Sequence, residues 1–230
     1  GASAALHLSL AVLTNATDQI ILPEPGYPCN RNIAHVLGLT IKNIIVDEST
    51  DYQLHAKHIT QSWQKNTRVA MVSSPSNPTG TMLSQNQMAS LIHAVGQKEG
   101  HLIVDEIYQG LVYDIESYTA LSFSDDVFVI NSFSKYFGMT GWRLGWMVVP
   151  ERFIEAVDRV AQNVYLAPPT MSQYAALATF APEVIEVLEA RVETFKQRRD
   201  YLLSVLPQLG FNIRVKPQGA FYIYAECSEI

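Results

Sequence analysis

The chain has 230 residues, of which 48% are hydrophobic, and its 16 Lys and Arg against 22 Asp and Glu give a net charge of −6. This composition excludes disorder for most of the chain, and the acidic balance argues against nucleic acid as a partner. Cys29 and Cys227 are too few for a disulfide framework. Uncharged apolar runs stay shorter than the ~18 residues of a membrane span. We therefore expect a cytoplasmic protein with no membrane partner, and its histidines show no metal-binding motif.

Apolar runs alternate with helical periodicity over the first 150 residues. The stretch from Leu6 to Leu13 is apolar on nearly every side and predicts a buried helix. Ser84 and Gln87 form a capping box at the start of a second helix, which runs to Gln97. Continuous apolar runs are typical of strands buried on both faces of a parallel sheet. Such runs predict strands at Gln19–Pro23, Lys42–Val46, Arg68–Ser73, His101–Asp105, Val127–Asn131 and Gly145–Val149. The alternation predicts an α/β fold with a mostly parallel, doubly wound sheet.

The pattern changes after residue 150. Apolar residues from Phe153 to Val164 predict an amphipathic helix, and Pro182 opens a long helix toward Leu206. Phe211–Val215 and Ala220–Ala225 alternate apolar and polar residues, which predicts an antiparallel pair of strands. We expect a large domain over 1–150, its remaining and connecting helices over 151–206, and the beginning of a small α+β domain over 207–230. Both domains are expected to be incomplete.

Polar residues follow three of the predicted strands directly. They lie at Ser76–Gly80, at Asp105–Tyr108 and at Ser132–Lys135, and Arg143 comes eight residues after the lysine. Alone, each has an ordinary explanation as a turn, a cap or a surface charge. Parallel sheets bind ligands at the carboxyl ends of their strands. Together these residues therefore indicate a binding site at that edge of the sheet.

The segment SFSKYFGMTGWRLGW, Ser132 to Trp146, resembles the lysine segment of the class I/II aminotransferases, which are fold-type I pyridoxal-phosphate enzymes. Other segments resemble the landmarks of this family in the same order: GASAAL at Gly1–Leu6, EPGYP at Glu24–Pro28, SNPTG at Ser76–Gly80, DEIY at Asp105–Tyr108 and PQGAFY at Pro217–Tyr222. The resemblance covers essentially the whole chain. It implies the large domain of a fold-type I enzyme, pyridoxal 5'-phosphate as cofactor, and a homodimer.

The resemblance also implies which residues hold the cofactor ring. Lys135 matches the lysine that binds the aldehyde as a Schiff base, a role for which the pKa of a lysine falls readily on desolvation. Asp105 matches the carboxylate that stabilises the protonated ring nitrogen. Asn77 and Tyr108 match the hydrogen-bond partners of the 3-oxygen, and Tyr27 matches the aromatic residue stacked on the ring. The expected catalytic residues are Lys135, Asp105 and Tyr108.

A second group of residues matches the phosphate site of the family. Ala2 and Ser3 lie at the start of a helix, whose N–H groups and positive end suit a dianion. Ser132 matches a hydroxyl donor, and Ser134 is expected to add another. Arg143 matches the arginine that binds the phosphate through two parallel hydrogen bonds.

The expected function is transfer of an amino group between an amino acid and a 2-oxo acid. Two alternatives on the same scaffold, a β-lyase and an α-oxoamine synthase, share Lys135 and Asp105. A third is the aminotransferase-like sensor domain of a transcription regulator, which requires a DNA-binding domain before Gly1. The resemblance implies that the N-terminal arm of the family and its substrate-carboxylate arginine lie outside these residues. The chain alone is therefore not expected to be a competent enzyme.

Overall fold

The computed structural model describes residues 1–228 and Ile230. Within these residues six strands form one sheet: β1 (Gln19–Glu24), β2 (Thr40–Ile45), β3 (Thr67–Ser73), β4 (His101–Asp105), β5 (Phe128–Ser132) and β6 (Gly145–Val148). They lie in the order β2-β1-β3-β4-β5-β6. Strands β1 to β5 are parallel, and β6 is antiparallel to β5. The predicted α/β fold with a mostly parallel sheet is therefore confirmed.

Helices cover both faces of this sheet. The α-helices in the described part of the chain are α1 (Ala2–Leu13), α2 (Pro28–Val36), α3 (Ala56–Ser62), α4 (Gln85–Gly96), α5 (Ile154–Val164), α6 (Thr170–Ala178) and α7 (Pro182–Val205). Successive residues of a strand point to opposite faces. Accordingly Val69 and Met71 of β3 belong to the same apolar cluster as Leu10 of α1, whereas Ala70 belongs to a second cluster with Leu91 of α4. The doubly wound arrangement follows from this alternation.

Two helix predictions from the sequence are confirmed in detail. Leu6, Leu10 and Leu13 of α1 are buried, as expected for a helix that is apolar on nearly every side. At the start of α4, the Ser84 N–H donates to Gln87 Oε1 at 2.7 Å, and the Gln87 N–H donates to Ser84 Oγ at 3.3 Å. This reciprocal pair satisfies backbone donors that the first turn of a helix leaves without partners.

The predicted antiparallel pair of Phe211–Val215 and Ala220–Ala225 is wrong. One antiparallel bridge forms nearby, between Asn212 and Glu226, and Glu226 lies one residue beyond the second stretch. The backbone of the intervening segment bonds to the loops that follow β3 and β4. The division of the chain at residues 150 and 206 stays a prediction.

The segment from Pro217 to Tyr222, which we call the 217–222 segment, lies across the loops that follow β3 and β4. The N–H groups of Gln218 and Gly219 both donate to Gly80 O, at 2.8 and 2.9 Å. The N–H of Ala220 donates to Leu111 O at 2.8 Å. Ala220, the first residue of the predicted second strand, thus bonds to Leu111 and not to the stretch Phe211–Val215.

The side chain of Arg199, in α7, contacts both this segment and the loop that contains Asp114. This side chain is 5% exposed, its Nη2 lies 2.6 Å from Asp114 Oδ2, and its Nη1 donates to Pro217 O at 3.1 Å. The guanidinium also lies over the ring of Tyr113, 4.9 Å from the centroid. One buried side chain therefore joins a helix, a loop and the 217–222 segment.

The variant Arg199→Ala is expected to lower the free energy of unfolding by about 2–3 kcal/mol, because it leaves Pro217 O without this donor and removes a buried charged partner of Asp114. Asp114 is partly exposed and also contacts Lys196, which limits the loss. Urea denaturation measures the difference. Arg198→Ala, an exposed neighbour on the same helix, is the matched control and should stay within ~0.5 kcal/mol of the unsubstituted protein. Equal losses in the two variants would contradict this role for Arg199.

Candidate active site

A cavity of about 280 Å³ opens at the carboxyl edge of the sheet, close to the lower end of the ~300–1,000 Å³ range of small-molecule sites. Nine of the ten predicted site residues line it: Ala2, Ser3, Tyr27, Asn77, Asp105, Tyr108, Ser134, Lys135 and Arg143. The tenth, Ser132, is 1% exposed and lies beneath the lining, with its Oγ 2.9 Å from Ser134 Oγ. The structure thus brings together residues that are up to 141 positions apart in the sequence, from Ala2 to Arg143.

Lys135 lies in the turn that follows β5. The Gly138 N–H donates to Lys135 O at 3.0 Å, and Gly138 has φ of 69°, a left-handed conformation that favours glycine. The Lys135 Nζ lies 5.8 Å from the centroid of the Tyr108 ring and 5.6 Å from that of Phe221. Aromatic faces attract a cation at such distances. The amine is therefore held against two rings at the cavity.

Asp105 is the last residue of β4 and lies at the floor of the cavity. Its Oδ1 accepts a hydrogen bond from the Ile107 N–H at 3.1 Å. Burial raises the pKa of Asp105 to about 6, and the Ile107 N–H and the charge of Lys135 oppose this rise. A buried carboxylate of this kind is stabilised by any additional cation that enters the cavity.

Asn77 and Tyr108 meet at a third residue, Tyr222. The Asn77 Nδ2 donates to Tyr222 Oη at 3.2 Å, and the hydroxyl oxygens of Tyr108 and Tyr222 lie 2.7 Å apart. Burial raises the pKa of Tyr108 well above its ordinary value. Tyr108 is therefore protonated at neutral pH and able to donate a hydrogen bond. Sequence reasoning missed Tyr222, and the only signal for it was the PQGAFY segment.

The opposite end of the cavity is lined by a positively charged side chain and by the N-terminal end of a helix. Ala2 and Ser3 form the first turn of α1, where N–H groups have no partner within the helix. Arg143 has φ of 54°, and its Nη1 donates to Thr140 O at 2.9 Å. A Cβ at Gly145 would lie 3.2 Å from Ala2 N and 2.7 Å from Asn131 O, so only glycine lets β6 approach this turn closely. A helix start beside a guanidinium suits a phosphate dianion.

Tyr27 lies at the rim of the cavity, directly before α2, and is 40% exposed. A hydrogen bond with the Cys29 side chain, together with burial, raises the pKa of Tyr27 to about 12. The ring is thus a neutral aromatic surface beside the cavity. Cys29 also lines the cavity.

The His, Cys, Asp and Glu side chains of residues 1–228 and Ile230 form no group of three that could hold a metal ion. No helix among them combines the length and the apolar character that crossing a membrane requires.

Residues 1–230 match the sequence model of the family "Aminotransferase class I and II". The chain is 36% identical over 231 residues to the valine–pyruvate aminotransferase of Mycobacterium tuberculosis and 30% identical over 232 residues to the (5-formylfuran-3-yl)methyl phosphate transaminase of Methanocaldococcus jannaschii. In both matches it covers 100% of itself and 59% of the relative. A crystal structure of an aminotransferase from Mycobacterium tuberculosis matches with a TM-score of 0.95 at 36% identity, again over 100% of this chain and 59% of the other. The chain therefore belongs to the family of class I and II aminotransferases.

Proposed function

We propose that the protein is a pyridoxal-phosphate-dependent aminotransferase acting on an amino acid and a 2-oxo acid. The family to which the chain belongs depends on this cofactor. The observation that carries the proposal is that Lys135, Asp105, Arg143 and the start of α1 all line the same cavity. An amine, a carboxylate and an anion site in one cavity are the groups that this cofactor requires.

The chemistry of these side chains fits the cofactor at each end. The start of α1, Ser134 and Arg143 would hold the phosphate, because all of them offer hydrogen-bond donors. Asp105 would accept a hydrogen bond from the protonated ring nitrogen, which gives its buried carboxylate a cationic partner. Asn77 and Tyr108 would donate to the 3-oxygen. When bound, the cofactor supplies an aldehyde and an electron-withdrawing ring.

Lys135 would have two tasks. Its Nζ would condense with the aldehyde, with loss of water, and so hold the cofactor. When the substrate amine takes its place, the freed amine would move the proton of the substrate α-carbon. Asp105 would keep the ring nitrogen protonated, and Tyr27 would offer an aromatic face to the ring. The names of the relatives, both of them aminotransferases or transaminases, favour this reaction over the β-lyase and α-oxoamine synthase alternatives.

We also propose a homodimer in the cytoplasm. Tyr27 is 40% exposed at the cavity rim, and a second subunit placed there would shield the cavity from water. Cys29 and Cys227 are both free thiols, as a reducing compartment favours. Light scattering of the full-length protein is expected to give twice the mass of one chain, and a monomer at micromolar concentration would contradict this part of the proposal.

The test of the proposed function is a pair of half-reactions with the full-length protein. Single amino acids are added without a 2-oxo acid, and the absorbance of the bound cofactor is followed. We expect an amino acid to convert the cofactor to its amine form with release of one 2-oxo acid per site, and a second 2-oxo acid to reverse the change. Release of ammonia together with a 2-oxo acid, with the original spectrum restored unaided, would instead indicate a β-lyase.

A further inference from the structure

Tyr222 lies between the two residues that would hold the cofactor 3-oxygen. It lines the cavity, and its hydroxyl contacts both Asn77 Nδ2 at 3.2 Å and Tyr108 Oη at 2.7 Å. The rings of Tyr222 and Phe221 also pack edge-on against Tyr108, with centroids 5.7 and 5.4 Å away. The orientation of Tyr108 is therefore fixed by its neighbours on the 217–222 segment.

The proton positions in this triad follow from what each group can donate. The Asn77 Nδ2 carries only donors, so Tyr222 Oη accepts from it. Tyr222 has one proton of its own, and the geometry of its contact with Tyr108 lets either hydroxyl be the donor. If Tyr222 donates to Tyr108, the proton of Tyr108 is left for a group in the cavity. The second N–H of Asn77 is left in the same way.

The backbone that precedes Tyr222 fixes the position of this residue. Ala220 is completely buried and has φ of 59°, a left-handed conformation that an alanine adopts only at a cost of ~1 kcal/mol. Its N–H donates to Leu111 O at 2.8 Å, and its carbonyl accepts from the Tyr113 hydroxyl. A Cβ at Gly219 would lie 2.5 Å from Pro75 Cγ. Strained backbone held by several bonds is typical of functional segments, where it orients the following side chains.

We propose that Tyr222 is a positioning residue of the cofactor site, whose hydroxyl directs the Tyr108 proton and one Asn77 N–H toward the 3-oxygen of the bound cofactor. This inference rests on the proposed function. The resulting series, Tyr222 to Tyr108 to the 3-oxygen, strengthens the last bond, because consecutive hydrogen bonds polarise one another. The contribution of Tyr222 is thus made through the 3-oxygen alone.

The test compares two ligands that differ only at this oxygen. Pyridoxamine 5'-phosphate, which cannot link to Lys135, and its 3-deoxy analogue are titrated into the cofactor-stripped full-length protein. Tyr222→Phe keeps the ring and removes the hydroxyl. It is expected to weaken binding of pyridoxamine 5'-phosphate by about 3- to 10-fold, as loss of one hydrogen bond predicts, and to leave binding of the 3-deoxy analogue unchanged.

Tyr224→Phe is the matched control, since Tyr224 lies two residues further on and packs on Tyr52 with centroids 5.3 Å apart. It should bind both ligands as the unsubstituted protein does. In a background that already carries Tyr108→Phe, loss of the Tyr222 hydroxyl should weaken binding of pyridoxamine 5'-phosphate less than it does in the unsubstituted protein, because only the part exerted through Asn77 remains.

If Tyr222→Phe weakened the binding of both ligands equally, or the binding of neither, the role of Tyr222 would be refuted and the proposed function would stand. Failure of the unsubstituted protein to bind pyridoxamine 5'-phosphate would overturn the proposed function with it. A crystal structure of the unsubstituted protein with pyridoxamine 5'-phosphate gives a test that does not depend on folding of the variant. The hydroxyls of Tyr222 and Tyr108 should remain within hydrogen-bond distance there, and a separation beyond ~3.5 Å would contradict the proposal.

Discussion

Lys135→Ala is expected to lower turnover of the full-length enzyme by roughly 10³-fold or more, because one substitution removes both the amine that binds the aldehyde and the group that moves the α-proton. The Lys135 Nζ lies at the cavity against Tyr108 and Phe221, and no ion pair of this side chain is recorded among the described residues. We therefore expect the fold to survive the substitution. Steady-state kinetics measures the loss in turnover.

Borohydride reduction followed by peptide mapping locates the linkage independently of activity. The pyridoxyl group should appear on Lys135 in the unsubstituted protein and should be absent from Lys135→Ala. Lys98→Ala, at an exposed lysine in the turn after α4, is the matched control and should keep both the label and the activity. A label on another lysine of the unsubstituted protein would refute the assignment.

The order of strands and helices was predictable because the local sequence determines most of it. The run from His101 to Asp105 has three consecutive apolar residues between its two polar ends, and it forms β4 with the predicted boundaries. Ser84 and Gln87 likewise define the start of α4 through contacts three residues apart. The alternation of Phe211–Val215 is a local signal of the same kind, yet the only bridge of this stretch among the described residues is that of Asn212 with Glu226, while Gly80 and Leu111 bind the backbone of the 217–222 segment.

The site was predictable where its residues follow strands, since the sheet brings strand ends together. Asp105 and Lys135 are of this type. Tyr222 was missed because its partners, Asn77 and Tyr108, lie 145 and 114 residues away in the sequence. Arg199 was missed for the same reason, as its partner Asp114 lies 85 residues away. Contacts between residues so far apart depend on how the 217–222 segment lies on the loops after β3 and β4. A local sequence pattern gives no information about that placement.

Asp105→Asn is expected to have opposite effects on stability and on activity. Burial raises the pKa of Asp105 from 3.8 to about 6 in the cofactor-free protein. Between about pH 4 and 6 the folded state therefore retains a proton that the unfolded chain has lost, so the free energy of unfolding falls as the pH rises. Above this window the buried charge carries its full penalty, at most about 3 kcal/mol and less after screening in the open cavity.

The neutral amide of Asp105→Asn removes that penalty. At pH 7.5 the cofactor-free variant is expected to unfold with a free energy about 1–2 kcal/mol higher than the unsubstituted protein. Its stability should also depend less on pH between 4 and 6. Urea denaturation at several pH values measures both effects. The pKa of Glu106 is raised to about 7 by burial and also by the charge of Asp105, so removal of that charge should act in the same direction and add to the gain in stability.

Activity should change in the other direction, because an amide does not stabilise a protonated ring nitrogen. We expect turnover of the full-length Asp105→Asn enzyme to fall by roughly 10²-fold or more, in line with the loss of a stabilising charge at a reacting group. Asp125→Asn, at an exposed position, should alter neither property. Loss of both stability and turnover in Asp105→Asn would mean that the carboxylate is needed for the fold. A gain in stability with a loss of turnover would mean that the buried charge is kept, against its cost to folding, for the cofactor it faces.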